Sequence, residues 1–414
     1  MGNVFEYRQG LLCCEGVELQ KVAEREGTPC YVYSSAGILN AYGEYAVGLE
    51  GIPHRICYAV KANGNLAVLA LLARAGAGFD IVSGGELYRV LKAGGDPEKV
   101  VFSGVGKTRE EIEYALSEGI HSFNCESEAE IALISSLAVR LGRTASVAVR
   151  VNPDVDASTH PYISTGLKEH KFGIGIAEVR GVYDRAAALP GIALDGVSCH
   201  IGSQLLDASP LLEAAQKMLD LVDALRARGI PIRVLDLGGG LGVPYHAGDP
   251  RPDVPGFLST LKSLVAGRDL FLMLEPGRSI VAESGALLAR VLYRKKSGEK
   301  EFVIVDASMA ELIRPALYEA HHEILPLREC RFGTVKADVV GPVCESGDFL
   351  AEGREVANVL PGDTIAAMTA GAYGFAMASN YNARLRPCEV LVEGESWRVV
   401  RRRETLAELV RGEQ

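Results

Sequence analysis

The sequence lacks several features that would assign it to a specialised class of protein. No apolar run is long enough to span a membrane, although 48% of the 414 residues are hydrophobic. Acidic residues outnumber basic ones, 53 to 43, and the formal charge of -10 argues against nucleic acid as the main partner. The nine cysteines follow neither a disulfide framework nor the spacing of a metal site, so a reducing compartment is expected.

The beginning of the chain, MGNVFEYRQG, has no apolar segment of the kind found in secretory signals. Repeats and low-complexity segments are also missing. A chain of this length can bury a large core and is predicted to form two domains. These absences together predict a cytoplasmic globular protein without a metal centre.

What the sequence does contain is an alternation of short apolar runs and longer amphipathic stretches. The runs are rich in Val, Ile and Phe and almost continuously apolar, as expected of parallel strands buried on both faces. About eight can be recognised: RICYAVKA, FDIVSG, KVVFSG, SFNC, SVAVRVNP, LDGVSCH, VLDLGGG and FLMLEPG. Eight such units over about 250 residues predict an α/β fold, a (β/α)8 TIM-like barrel.

The pattern changes after about Val281, where short strand-like runs such as EFVIVDA and ADVVGP alternate with Gly and Pro turns. This change predicts a mainly β C-terminal domain. The N-terminal segment fits neither pattern, and its strand-like pieces are expected to pair with that domain. We therefore expect a barrel domain of residues 31–282 and a β-rich domain formed from residues 1–30 and 283–414.

Active sites of barrels lie at the carboxyl ends of the strands, so the residues found there are the first candidates. They are Lys61, Asp80 with Ser83, His200, the run Gly238, Gly239 and Gly240, and Glu275 with Arg278. Taken alone, Lys61 is either a solvated lysine or an amine whose lowered pKa allows it to form a Schiff base.

The glycine run in LDLGGGLG exposes backbone N–H groups that can surround an anion, and barrels often bind phosphate near their last two strands. A tight loop without a ligand is the alternative. The run is not a dinucleotide fingerprint, because the last glycine position falls on Val243. VFSGVGKT resembles a nucleotide-binding loop, but its first glycine position is Val101; we interpret it as a helix start with Thr108 and Glu111 as a capping box.

His200 and Glu275 each allow two interpretations. The histidine is either structural or a general base, or it stacks on a flat cofactor ring while Gly202 and Ser203 contact phosphate oxygens. Glu275 either pairs with Arg278 or holds a proton on a ring nitrogen so that the ring withdraws electrons. An imine-forming lysine, a glycine phosphate site, a flat imidazole and such a carboxylate together describe a pyridoxal phosphate site.

Long motifs then indicate a family. They are YAVKAN, FDIVSGGEL, STGLKEHKFGI, CHIGSQ, DLGGGLG, EPGRSIV, IRPALYEAHHEI, GPVCESGD and AGAYGFAMASNYN. In this order they resemble the fold-type III pyridoxal phosphate decarboxylases, and within them the branch that acts on meso-2,6-diaminopimelate. The resemblance covers nearly the whole chain. It implies a barrel plus a β domain built from both termini, pyridoxal 5'-phosphate as cofactor, and a homodimer with shared active sites.

The resemblance also implies a role for each matching residue. Lys61 binds the cofactor covalently, and Cys344 reaches across the dimer interface into the partner's barrel to donate a proton. The other cofactor-binding positions are Asp80, Ser83, His200, Ser203, Gly238, Gly239, Gly240, Glu275, Pro276, Gly277, Arg278 and Tyr373. The positions that contact substrate are Arg278, Arg314, Tyr318, Glu345 and Tyr373.

The substrate follows from charge and from the loop after Cys344. Arg278 and Arg314 suit a bidentate grip on a second carboxylate, which a diamine precursor such as ornithine lacks. Ornithine and arginine decarboxylases typically have Asp-Gly after this cysteine, whereas Glu345 and Ser346 follow it here. The expected reaction is decarboxylation of meso-2,6-diaminopimelate to L-lysine, the last step of lysine biosynthesis.

Two alternatives remain at this stage. One is a sister decarboxylase for ornithine, arginine or carboxynorspermidine. The other is a non-catalytic relative that binds pyridoxal phosphate, although such relatives commonly lose the lysine, the thiol or the β domain. The pairs Cys13-Cys14 and His321-His322 receive no role, and the histidine pair is expected on a solvated helix surface.

Overall fold

The structure is a computed structural model that describes residues 4–156, 171–330 and 332–414. Residues 164–170 of the motif STGLKEHKFGI lie outside the described residues.

The strands follow one another as β1 Phe5–Arg8, β2 Leu11–Cys14, β3 Val17–Glu18, β4 Cys30–Ser34, β5 His54–Ala59, β6 Gly78–Ile81, β7 Val100–Phe102, β8 Ser122–Cys125, β9 Ala145–Asn152, β10 Ile174–Gly175, β11 Ile192–Cys199, β12 Val234–Asp236, β13 Phe271–Leu274, β14 Gly285–Ser297, β15 Lys300–Val305, β16 Ile324–Pro326, β17 Thr334–Val340, β18 Phe349–Ala357, β19 Thr364–Ala367, β20 Cys388–Glu393 and β21 Ser396–Arg401. The α-helices are α1 Leu19–Glu26, α2 Ser35–Gly48, α3 Leu66–Arg74, α4 Gly84–Lys92, α5 Arg109–Glu118, α6 Glu128–Leu141, α7 Val179–Ala186, α8 Ser209–Arg226, α9 Val254–Val265, α10 Arg278–Val281, α11 Arg314–Tyr318 and α12 Leu406–Leu409. Short 3-10 turns cover Val60–Ala62, Pro97–Lys99, Phe375–Met377 and Tyr381–Ala383.

These elements form two compact units. The barrel unit comprises Ala41–Val243 and Pro250–Ser279, and the β-rich unit comprises Met1–Asn40, Pro244–Asp249 and Ile280–Gln414.

The barrel unit is a closed ring of parallel strands. Going round the ring, the order is β5, β6, β7, β8, β9, β11, β12, β13 and back to β5. Each of these eight strands corresponds to one of the apolar runs, which confirms the predicted barrel. The short β10 pairs with β9 outside the ring. Because the ring is parallel, the carboxyl ends of all eight strands meet at one end of the barrel.

Local signals fix where the surrounding helices begin. The Ser83 hydroxyl accepts the Glu86 N–H and caps α4, and Thr108 with Glu111 forms the predicted capping box of α5. Lys107, the lysine of the sequence that resembled a nucleotide loop, is buried and pairs with Glu130 at 2.6 Å. That segment therefore starts a helix, as the sequence predicted.

The β-rich unit has a mixed sheet with the strand order β18, β17, β15, β14, β4, β20, β21. The N-terminal strand β4 lies inside this sheet, antiparallel to β14 and parallel to β20. Its core is apolar and includes Val32, Leu288 and Val390, all fully buried. The mainly β character predicted for this part of the chain is confirmed, and strands from both termini contribute to it.

Among the described residues, none of the helices combines the length and the apolarity needed to cross a bilayer. The same residues contain no group of three or more His, Cys, Asp or Glu side chains arranged to hold a metal ion.

Candidate active site

The predicted cofactor residues of the barrel unit lie at the carboxyl end of the ring. Asp80 is in β6, and His200 directly follows β11. The three glycines begin two residues after β12, and Glu275 follows β13 at once. Lys61 is two residues beyond β5, in the 3-10 turn Val60–Ala62. The barrel topology therefore brings side chains that are far apart in sequence to one edge.

Lys61 and Asp80 form an ion pair at the barrel mouth. The lysine Nζ is 2.5 Å from Asp80 Oδ2; the lysine side chain is 38% exposed, whereas the aspartate side chain is fully buried. Asp80 Oδ1 is buried and has no hydrogen-bond partner among the described residues. The ion pair thus holds the Lys61 amine in a position that solvent and a ligand can reach. Asp80 Oδ1, beside it, can accept a hydrogen bond from a ligand.

Glu275 belongs to a buried polar cluster with Asp236, Asn124 and Ser103. Asn124 Nδ2 donates to Asp236 Oδ2 at 2.9 Å and to Glu275 Oε1 at 3.1 Å, and Ser103 Oγ donates to the same Glu275 oxygen at 3.3 Å. A single amide nitrogen, Asn124 Nδ2, therefore bridges the two carboxyl groups. Burial raises the pKa of both, and the nearby charges of Asp236 and Asp80 raise the pKa of Glu275 further, well above its usual range.

The glycine run is a cradle that side chains would fill. A Cβ on Gly239 would lie 2.3 Å from the Glu275 carbonyl oxygen, and one on Gly238, where φ is 65°, would lie 2.6 Å from the Cys199 carbonyl oxygen. The Gly238 N–H donates to Asp236 and the Gly239 N–H to His200. Gly240 and Gly277 are different, because their N–H groups have no partner among the described residues. Those two N–H groups, on neighbouring strand ends, fit the oxygens of a phosphate group.

His200 is a neutral ring at the same edge. Its Nδ1 accepts the Gly239 N–H at 3.3 Å, which leaves the proton on Nε2. Burial, with the positive charges of Arg150 and Lys61, lowers the pKa of His200 to about 3. A flat, uncharged imidazole beside the glycine cradle fits the stacking position predicted from the sequence.

Arg278 and Ser203 also meet in the barrel unit. Arg278 Nη2 donates to Ser203 Oγ at 3.2 Å, and the arginine is only 7% exposed. Pro276 and Gly277 form the link between β13 and α10. Ser83 lies at the N-terminus of α4, after the buried strand that carries Asp80.

The remaining predicted residues belong to the β-rich unit. Cys344 and Glu345 lie on the loop between β17 and β18, both exposed, as the flanking Gly and Pro predicted. Asp348 braces this loop by accepting the N–H groups of Val343 at 2.7 Å and Met309 at 2.6 Å. The Cys344 N–H donates to Asn382 Oδ1 at 2.8 Å. An exposed thiol is thus presented on a loop with a fixed shape.

Helix α11 begins at Arg314 and ends at Tyr318. Two side chains contact the Arg314 guanidinium group. Its Nη1 lies 2.9 Å from His322 Nε2, and its guanidinium carbon lies 4.5 Å from the centre of the Tyr245 ring. Tyr373 adopts a left-handed backbone conformation, with φ of 57°.

The expectation that His321 and His322 lie on a solvated helix surface is wrong. The helix ends at Tyr318, and His322 is completely buried. Its Nδ1 is 2.8 Å from the Met368 carbonyl oxygen, so Nδ1 carries the proton and Nε2 accepts from Arg314. The sequence analysis also missed Asp236 and Asn124. The signal was present, because each is a polar residue at or next to the last position of a strand that was predicted to be buried.

Known proteins are similar to this chain over nearly its whole length. The family "pyridoxal-dependent decarboxylase, pyridoxal binding domain" matches residues 37–282. A diaminopimelate decarboxylase of Pseudomonas aeruginosa is 56% identical over 412 residues, with 99% of both chains covered. One from Neisseria meningitidis is 52% identical over 402 residues, covering 97% of this chain and 98% of the relative.

Solved structures of diaminopimelate decarboxylases are also similar to this chain. Diaminopimelate decarboxylase from Helicobacter pylori, complexed with L-lysine, has a TM-score of 0.91 and 44% identity, covering 95% of this chain and 98% of that one. The M. jannaschii enzyme has a TM-score of 0.94 and 39% identity, with 99% of this chain and 98% of that chain covered.

Proposed function

Because the chain belongs to the family of pyridoxal-dependent diaminopimelate decarboxylases, we propose that it converts meso-2,6-diaminopimelate to L-lysine and CO2, the step that completes lysine biosynthesis. Its cofactor is pyridoxal 5'-phosphate. The observation that carries the proposal is the ion-paired Lys61 amine on the same barrel edge as the glycine cradle and the Glu275 carboxyl.

The residues present fit the cofactor at each of its chemical groups. Lys61 supplies an amine for covalent attachment, and Asp80 keeps it positioned. The free N–H groups of Gly240 and Gly277 would receive the phosphate, and Ser203 and Arg278 are close enough to each other to serve the same group. His200 supplies a flat neutral face, and Glu275 a carboxyl for the ring nitrogen.

When bound, pyridoxal phosphate takes up the electrons of the bond that breaks at the substrate Cα. The chain must then return a proton to that carbon. We assign this to the exposed thiol of Cys344, with Glu345 beside it recognising the substrate amine. We assign the distal carboxylate of the substrate to Arg278 and Arg314, whose planar guanidinium groups suit a bidentate grip.

Tyr318 and Tyr373 complete the proposed contacts. His322 supports the assignment of Arg314, because its Nε2 accepts from one guanidinium nitrogen and so holds the arginine in a fixed position.

We further propose a homodimer in which each Cys344 serves the barrel of the other chain, and a cytoplasmic location. The exposed thiol on a braced loop supports the first proposal. The cytoplasmic location is supported by the nine cysteines, all of which are free thiols. Even Cys30 and Cys388, which lie opposite each other on adjacent strands, form no disulfide.

The test is a substrate panel with product identification. The purified protein, supplied with pyridoxal phosphate, is offered meso-diaminopimelate, ornithine, arginine and carboxynorspermidine at equal concentrations. We expect L-lysine and an equal amount of CO2 from meso-diaminopimelate, and turnover at least about a hundredfold lower with the substrates that lack a distal carboxylate, because the proposed contacts of that carboxylate with Arg278 and Arg314 cannot form. Faster CO2 release from ornithine or arginine would contradict the substrate assignment.

A further inference from the structure

Asp236 is a buried carboxyl for which the proposed reaction has no role. It is the last residue of β12 and is completely buried. Its Oδ1 accepts the Gly238 N–H at 2.9 Å, and its Oδ2 accepts Asn124 Nδ2 at 2.9 Å. Beyond holding the glycine run, this carboxyl shares the Asn124 Nδ2 donor with Glu275, whose Oε1 lies 3.1 Å from the same nitrogen.

Two carboxyl groups that accept from one amide nitrogen inside a protein share one proton, because without a cation beside them both cannot be charged at that distance. The protonated ring nitrogen would be that cation once the cofactor is bound. The hydrogen-bond donors around each carboxyl group determine whether Asp236 or Glu275 carries the negative charge. Asp236 receives two hydrogen bonds of 2.9 Å, one on each oxygen, whereas the donors to Glu275 share one oxygen at 3.1 and 3.3 Å. The better-solvated anion is therefore Asp236, and the proton resides on Glu275.

Other titratable groups also face Glu275 from neighbouring strands. Asp80 and Lys61 compensate each other as an ion pair. Burial raises the pKa of the Cys57 and Cys199 thiols, so both stay neutral near pH 7. Asp236 is thus the charged group that shares a donor with Glu275 and has no cationic partner among the contacts described above.

We propose that Asp236 is a positioning residue that acts through Glu275: its carboxylate keeps a proton on Glu275 for delivery to the ring nitrogen of the cofactor, and its charge then stabilises the proton on that nitrogen. The inference rests on the proposed function, which places the ring nitrogen beside Glu275. In the transfer, the Glu275 O–H bond breaks and a ring N–H bond forms. Glu275 becomes a carboxylate, Asp236 keeps its charge, and no further reactant is required.

The inference predicts how the ring nitrogen responds when the charge is removed. A like or opposite charge within about 4–6 Å shifts a pKa by about 1–3 units. Asp236→Asn removes the charge and keeps an oxygen for the Gly238 N–H. The Asn124 side chain can turn to accept the new amide, because its Oδ1 has no partner among the described residues. Ser103→Ala is the matched control, since it deletes another contact of Glu275 without changing charge.

The experiment uses the full chain loaded with pyridoxal phosphate labelled with 15N in the ring, and follows the ring nitrogen by NMR over a range of pH. We expect the pH at which the nitrogen loses its proton to fall by at least about 1 unit in Asp236→Asn, a tenfold weaker hold on the proton, and to change little in Ser103→Ala. An unchanged midpoint in Asp236→Asn would overturn the inference.

A second measurement does not depend on that variant folding. Infrared spectroscopy of the wild-type chain before cofactor is added should show a protonated carboxyl at pH 7 that is missing in Glu275→Gln. A spectrum without that band would also overturn the inference. Failure of the proposed function looks different: no borohydride-stable attachment of the cofactor would form at all, whereas failure of this inference leaves the attachment intact.

Discussion

At the scale of single residues, burial and neighbouring cations determine which histidines stay neutral. The pKa of His200 falls to about 3 and that of His121 to about 4. His121 directly precedes β8, at the amino end of the barrel, away from the strand ends that hold the candidate site. Its buried Nε2 has no hydrogen-bond partner among the described residues, and the positive charge of Arg55 adds to the effect of burial.

This gives a stability prediction for His121→Phe. The unfolded histidine has a pKa near 6.5 and the folded one about 4, so between these values the unfolded chain binds more protons and the stability of the wild type is lost as the pH falls. Phenylalanine cannot titrate and can pack near the Phe271 ring, which lies 6.4 Å from the imidazole.

The measurement is the free energy of unfolding from urea titrations at pH 8 and pH 5. The advantage of the variant over wild type should grow by about 1 kcal/mol on going from pH 8 to pH 5, allowing for the partial exposure of the site. An equal difference at both pH values would show that His121 is not held neutral.

The residues of the candidate site could be predicted from the sequence where a chemically reactive or polar side chain stands at the end of an apolar run. Lys61, His200 and Glu275 follow or end apolar runs, so a rule about strand ends finds them. Asp236 could have been found in the same way. His322 could not, because its partners Arg314 and Met368 are 8 and 46 residues away and nothing in the local sequence indicates that the chain folds back on them.

At the scale of elements, strands that are buried on both faces were the easiest to predict. β6, β7 and β8 are fully buried along their length. β7 is an uninterrupted apolar run, VVF, and the polar residues of β6 and β8 include Asp80 and Asn124, which belong to the candidate site. The mixed sheet was harder, because its strand order depends on distant pairing. β4 lies between β14 and β20, more than 250 and 350 residues later, and local patterning carries no information about such partners.

The glycine loop shows how an element can be fixed by function and by packing at once. Gly239 has no room for a Cβ, whatever the loop binds, because the Glu275 backbone occupies the space. The Gly240 N–H, by contrast, has no hydrogen-bond partner within the part of the chain that the structure describes, so it contributes no bond to the fold there and is available to a ligand. The sequence predicted the anion site from the glycines alone, but only the structure separates the N–H groups that hold the fold from those that remain for a ligand.

At the scale of the whole molecule, the proposed shared site makes activity depend on two chains. Lys61→Ala and Cys344→Ala should each be nearly inactive. After subunit exchange in an equal mixture, about half of the dimers are mixed and each has one intact site, so about a quarter of the wild-type activity should return.

Cys330→Ala provides the matched control, because Cys330 is a partly exposed thiol outside the predicted site. Mixed with Lys61→Ala, it should give about half of the wild-type activity whether or not sites are shared. No recovery in the first mixture, alongside the expected activity in the second, would mean that each chain forms its site alone.

The central claim is that a pyridoxal ring is held covalently by Lys61 at the mouth of the barrel, and its most direct measurement is borohydride reduction followed by peptide mass spectrometry. The account predicts one reduced cofactor per chain on the peptide that contains Lys61, unchanged in Lys99→Ala and lost in Lys61→Ala. A chain that retains no cofactor after reduction, or carries it on another lysine, would contradict the account.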